Sequence, residues 1–388
     1  MQNFISYWRP HASLATAGAA AYSMSTLFSA MKPILLTRYV EQIGLSEGLA
    51  GLLVALPFAG IACASLLMRG WLLRAPYRQI AMVCGGLLIA LELLSAFTFS
   101  YLSVVMPAQF LSGICVGLLM GTTSRYVSVT RERDQLFGFV DMTAVLLMSF
   151  MVYLVGASVA SAGIWGGYLA AAIISTLFFA ALFVFRPADQ KATSDSEQST
   201  AALEFAVRPV AIVAMGVLFV TFSGLGFAFM FTMAADLGMD YESAGRNIGI
   251  LLFVSAFACQ IGGWASAKFG PERPLACAFV TCAAGWYMAV FTDDPIIFMA
   301  ALVPAIFSLQ FCFPILLSFS GSLDTEGRWA GIASPLITSG FAWAAIVAGQ
   351  VVNYAGIQAL AAVTTIGMLL CLGLLAIAVL KKPKVLAV

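Results

Sequence analysis

The chain has 388 residues, of which 62% are hydrophobic and only 10% charged, with 19 Lys and Arg against 18 Asp and Glu. A soluble domain carries about a quarter charged residues, so this composition cannot coat a globule and excludes a secreted, soluble or disordered protein. A net charge of +1 supplies no basic stripe for nucleic acid.

Apolar runs bounded by charge or turn residues fall at 12–38, 46–68, 78–99, 102–126, 135–161 and 163–186. Six more follow at 208–234, 243–267, 274–292, 295–319, 329–353 and 357–380. Each is long enough to approach the roughly 20 apolar residues that cross a bilayer as a helix. The runs stay apolar instead of alternating, which excludes a membrane β-barrel. Between the two sets, Asp189, Lys191, Asp195, Glu197 and Glu204 stand among Ser, Thr and Ala, a composition that buries no core. The expected organisation is an all-α polytopic membrane protein of twelve spans. Residues 1–186 form an N-terminal six-helix bundle, 187–207 a cytoplasmic linker and 208–388 a C-terminal six-helix bundle.

Charge gives the expected orientation. Of the loop Lys and Arg, only Arg38 and Arg246 fall on one face, beside Glu41, Glu47, Asp236, Asp240, Glu242, Asp293 and Asp294. The face holding both termini takes the basic excess, so both termini are expected in the cytoplasm, as in a multi-pass plasma (inner) membrane protein. The eight cysteines sit inside apolar runs without a C-x-x-C pair and read as buried structural thiols. One histidine, His11, builds no metal site, and the absence of a Gly-Lys dipeptide rules out a P-loop. No cofactor and no metal are expected, and little is present for acid–base chemistry, which argues against an enzyme.

The halves repeat at an offset of 193–197 residues. Gly44–Gly51 lines up with Gly238–Gly245, Gly70-Trp71 with Gly263-Trp264, Pro107-Ala108 with Pro304-Ala305, and Ala162-Gly163-Ile164 with Ala355-Gly356-Ile357. Between spans 8 and 9 stands Gly263-Trp264-Ala265-Ser266-Ala267-Lys268-Phe269-Gly270-Pro271-Glu272-Arg273. This loop resembles the G-x-x-x-D-[RK]-x-G-x-x-R motif of the major facilitator superfamily, with Ala267 in place of the usual Asp. The N-terminal copy, Gly70 to Arg78, has Arg74 at the Asp position, and Gln109 to Gly113 resembles the family's R-x-x-x-G pattern with Gln for Arg. The resemblance covers the whole chain without fixing a subfamily. It implies a secondary transporter working by alternating access, with spans 1, 4, 7 and 10 lining a central cavity.

Ionisable residues inside spans are costly and mark function by default. Lys32, Glu92, Arg125 and Asp141 are the candidates, all in the first half. Tyr22, Ser25, Ser29 and Lys32 share one face of span 1 by their spacing of 3, 4 and 3. With Gln109, Phe222 and Gln310 they form the expected substrate-binding set. Glu92, Arg125, Asp141 and Arg74 form the expected coupling and gating set, with Asp141 paired to Arg125 or a loop arginine in one conformation. A lone cavity lysine among aromatic residues favours a small amphipathic organic anion as substrate, with protons as coupling ion. The lipid bilayer is the other partner, nucleic acid is not one, and a monomer is expected. Efflux of hydrophobic or cationic compounds, and a non-transporting sensor or scaffold, are the alternatives. The glycines Gly113, Gly117 and Gly121 on one face of span 4 predict close helix packing.

Overall fold

A computed structural model describes residues 11–68, 76–185 and 206–381. Arg69, Gly70 and Arg74 of the first loop motif, and nearly all of the 187–207 linker, lie outside them. The described chain is helical from end to end, with no strand among the described residues.

In the first half, α1 is Ala12–Ile43, α2 Glu47–Leu67, α3 Tyr77–Thr98 and α4 Leu102–Ser128. A run of 50 residues, Arg133–Leu182, follows and holds α5 and α6, divided at Gly163 (φ 65°, ψ −152°). At 1.5 Å per residue this run measures about 75 Å, more than twice the roughly 30 Å of hydrocarbon, so it crosses twice once it bends. The second half holds α7 Val207–Asp236, α8 Tyr241–Phe269, α9 Glu272–Phe291 and α10 Pro295–Gly321. Helix α11, Arg328–Ala355, is interrupted at Ser339, and α12 is Ala359–Leu380. Twelve helices therefore stand among the described residues, matching the twelve apolar runs. Large apolar side chains such as Phe97, Tyr153 and Leu177 are each about 70% exposed (71%, 72% and 68%). Only hydrocarbon covers such a surface at low cost.

The sequence repeat has a physical basis in helix ends. Gly44 (φ 72°) closes α1 and Gly238 (φ 74°) closes α7, both in the left-handed conformation that glycine adopts without a Cβ penalty. Two residues on, the Ser46 hydroxyl caps α2 by accepting from the Leu49 amide (3.4 Å). The Asp240 carboxylate caps α8 in the same way, accepting from the Ser243 amide (2.8 Å). Gly163 and Gly356 (φ 78°) likewise occupy matching corners.

The helices gather into two compact units. The first contains α1–α4, the α5–α6 run from Phe139 onward, and the Asp324–Pro335 segment that opens α11. Its tightest seam is α2 on α4. A methyl group on Gly113 would overlap the Pro57 carbonyl, and one on Gly117 would meet Ala64 and the Ile61 carbonyl. The glycine stripe thus brings two helix backbones together. The second unit contains Glu132–Gly138 at the start of α5, then α7–α10, and the chain from Leu336 onward. There α9 and α8 pack on α10, and α12 packs on α7. Leu225, Ala348 and Leu360 make a buried cluster with Phe222 against it.

One expectation needs correction. Six of the eight cysteines are buried and Cys63 is half-buried, but Cys277 is exposed. It lies on the outer face of α9, where an apolar environment for a thiol is the membrane and not the protein core.

Candidate functional site

The first unit holds two buried polar clusters. In one, the Tyr22 hydroxyl of α1 lies 2.6 Å from Ser124 Oγ of α4 and 2.9 Å from Ser334 Oγ of α11. Ser124 donates its proton to the Met120 carbonyl (2.7 Å). A hydroxyl has one proton to give, so Tyr22 donates to Ser124. Asp141 of α5 lies close enough for its charge to act on this hydroxyl. Its side chain is 3% exposed, and Oδ2 has no hydrogen-bond partner among the described residues. Asp141 and Ser334 occupy corresponding positions of the sequence repeat, and Ser334 is the one hydrogen-bonded to Tyr22.

In the other cluster, the Gln109 amide of α4 donates to Ser95 Oγ (2.9 Å) and Glu92 Oε1 (3.4 Å) of α3. All three side chains are buried. The Tyr39 hydroxyl of α1 donates to the Tyr168 hydroxyl of α6 (3.2 Å), and the charge of Glu92 reaches both rings. Lys32 lies seven residues before Tyr39, two turns away on the same face of α1. Ser29 and Lys32 are in the helix, but their side chains lie outside the described residues, as does Arg74 altogether. Ser25 is buried on α1.

The remaining expected residues are dispersed. Arg125 Nε donates to the Glu326 carbonyl (3.0 Å), and no ion pair joins it to Asp141 in this conformation. The Asp134 carboxylate, at the start of α5, accepts from Ser266 (2.7 Å) and Ser318 (2.6 Å) within the second unit. Ser266 precedes Ala267, the position where the loop motif lacks its acid. Phe222 packs into the α7–α12 seam, where a methyl on Gly367 would overlap its ring. Gln310 is half-buried and its Oε1 accepts only weakly from the Cys259 thiol, at 3.9 Å. Among the described residues no group of His, Cys, Asp or Glu could hold a metal.

Ser124, Ser334, Ser95, Tyr39 and Tyr168 were not singled out as site residues from sequence. For Ser334 a signal existed, since the repeat places it opposite Asp141. Serines such as Ser124 and Ser95 are common in apolar helices and carry no distinguishing pattern.

A sequence model of the Major Facilitator Superfamily matches residues 14–323. No curated protein sequence matches the chain significantly. Among solved structures, the human organic anion transporter MFSD10 (TETRAN) is 17% identical, with 95% of this chain and 99% of that one covered at a TM-score of 0.71. The Escherichia coli fucose:proton symporter FucP is 16% identical, covering 96% and 99% at 0.71. The proton:xylose symporter XylE, with 6-bromo-6-deoxy-D-glucose bound, is 15% identical, covering 97% and 96% at 0.76. Identities this low speak for the fold, while the sequence model spans most of the chain. The chain belongs to the major facilitator superfamily and is a multi-pass membrane transporter.

Proposed function

We propose that this protein is a proton-coupled secondary transporter of a small amphipathic organic anion, working by alternating access in the plasma membrane with both termini in the cytoplasm. The observation that carries the reading is Asp141. An ionised carboxylate buried without a partner is costly, and a proton removes that cost without any rearrangement of the helices. Tyr22, the titratable neighbour from α1, has its own proton committed to Ser124, and Arg125 of α4 is bonded elsewhere. Asp141 is therefore placed to take up and release a proton as its surroundings change between conformations. Lys32, on the face of α1 that carries Tyr22, is the proposed counter-charge for the anion. Two of the solved relatives are named as proton symporters and one as an organic anion transporter.

The test is flux in proteoliposomes with and without a pH gradient, using a panel of aromatic and aliphatic carboxylates. Accumulation that requires the gradient supports the reading. Uptake of none of them, or uptake indifferent to the gradient, removes it. Orientation is tested separately: a cysteine placed at 293 should label from outside, and one at 384 only after permeabilisation.

A further inference from the structure

In the second unit, α8, α9 and α10 enclose a groove of about 270 Å³, whose walls include Ala258, Ile261, Cys277, Ala278, Phe307 and Phe311. Its walls carry no Asp, Glu, Lys, Arg or His. The two hydroxyls on it are spent on their own helices: Thr281 donates to the Cys277 carbonyl (2.8 Å) and Ser308 to the Pro304 carbonyl (2.6 Å). A polar ligand would find only the weak thiol donor of Cys277 there. The space also falls below the roughly 300–1,000 Å³ of ordinary small-molecule sites. A flexible hydrocarbon chain fits both facts.

The groove does not stand alone. On α8, Phe257, Ile261, Trp264 and Lys268 follow a spacing of 4, 3 and 4, so they share one face, and all four are exposed. On α9, Arg273, Cys277 and Thr281 share one exposed face by the same rule. Ile261 and Cys277 line the groove, and the cations lie at the same end of both stripes. Lys268 is seven residues from Ile261, about 10 Å along the axis, and Arg273 is four from Cys277, about 6 Å. Lys268 Nζ lies 4.8 Å from the Trp264 ring and 5.3 Å from the Phe269 ring. Neither cation is in an ion pair among the described residues. Glu272 adds one acid to this rim and leaves it net positive.

We propose that this face is a binding site for one anionic phospholipid. An acyl chain lies in the α8–α9–α10 groove, and the phosphate is held by Lys268 and Arg273 at its charged end. The apolar stripe, the aromatic residue at the boundary and the paired cations follow the depth profile of a lipid of one leaflet. The charge pattern selects the anionic headgroup, and the volume selects a chain.

The experiment is native mass spectrometry of the delipidated full-length protein, titrated with phosphatidylglycerol or phosphatidylcholine of identical chains. The wild type should half-saturate with phosphatidylglycerol at a concentration at least fivefold below that for phosphatidylcholine. Lys268→Gln with Arg273→Gln should bring the two lipids to equality. Groove occupancy is tested after folding, so that no variant has to fold with a filled groove. In a Cys63→Ala background, Cys277 is the exposed thiol and accepts a bulky pyrenyl maleimide, which should abolish retention of both lipids. Equal affinity for the two lipids in the wild type, or a preference unchanged by the charge variants, would overturn the proposal. So would lipid retention that survives the maleimide, since the headgroup alone would then account for binding.

Discussion

The two units spend their buried polar groups differently. In the first, the buried set includes Glu92, Gln109 and Asp141 beside its hydroxyls. In the second, the buried polar side chains among the described residues are Ser and Thr, joined by the indole N–H of Trp286. Most of those donate to carbonyls of their own helix, as Ser308, Ser320 and Thr221 do. A hydroxyl bonded to its own helix costs little in a membrane, whereas a carboxylate there persists only with a function or a partner. The proposed proton coupling therefore falls in the first unit. The second is left with packing, seen in the Phe222–Gly367 seam and in Trp286 lying on Gly226.

The largest expected effect lies at Lys32. Removing its charge by Lys32→Met should weaken an anionic substrate by 100-fold or more, the effect of leaving a buried counter-charge unpaired, about 3–5 kcal/mol. Lys32→Arg should recover most of it. Equilibrium binding in detergent reads this directly, and wild-type affinity in Lys32→Met would take the residue out of the site.

Tyr22→Phe comes next. It deletes the hydroxyl that joins Ser124 and Ser334 across 102 and 312 residues of sequence. Two lost hydrogen bonds at about 1 kcal/mol each should cost roughly 30-fold in transport rate or several degrees in melting temperature. A variant indistinguishable from wild type in both would mean that this cluster organises nothing. Gln310→Leu is the matching probe of the second unit. Its one hydrogen bond among the described residues is a weak one from a thiol, so substrate affinity should change by no more than about threefold. A loss as large as that at Lys32 would erase the asymmetry between the units.

How much of this was legible in the sequence follows from which forces act locally. Twelve apolar runs and the glycine corners were readable because hydrocarbon thickness and left-handed φ act on contiguous residues. Even the repeat of Gly44-Leu45-Ser46 in Gly238-Met239-Asp240 is a local device, a helix stop followed by a cap. Asp141 stood out because a carboxylate in an apolar run is anomalous by itself. Its surroundings did not stand out, since Tyr22, Ser124 and Ser334 meet only through tertiary packing and hydroxyls leave no mark on hydropathy. Gln109 shows the converse case. It looked available to a ligand, but its amide is committed to Ser95 and Glu92 on the neighbouring helix. Cys277 failed for a third reason: an apolar run does not say which of its faces meets lipid.

The smallest effect concerns the loop before α11, which belongs to the first unit although it lies in the second half of the chain. Burial raises the Asp324 carboxyl above its ordinary range, against hydrogen bonds and charge from Arg328 that lower it. A raised native value means that the folded state holds the proton more tightly than the unfolded one. Its contribution to stability is therefore full below the ordinary carboxylate range, about pH 4, and is lost as pH rises through the raised value. Asp324→Asn should flatten that part of the curve of melting temperature against pH, by about 1–3 °C. A curve of unchanged slope would show that Asp324 titrates normally.

The central claim is that Asp141 carries the coupled proton, and one comparison in proteoliposomes tests it most directly. Substrate exchange between two equal pools needs no net proton movement, while accumulation against a gradient does. Asp141→Asn holds the side chain permanently uncharged at nearly the same volume. The account predicts that this variant exchanges labelled substrate at near the wild-type rate but no longer accumulates it when an inward or outward pH gradient is imposed. An Asp141→Asn protein that still concentrates substrate with an unchanged dependence on the gradient would contradict it.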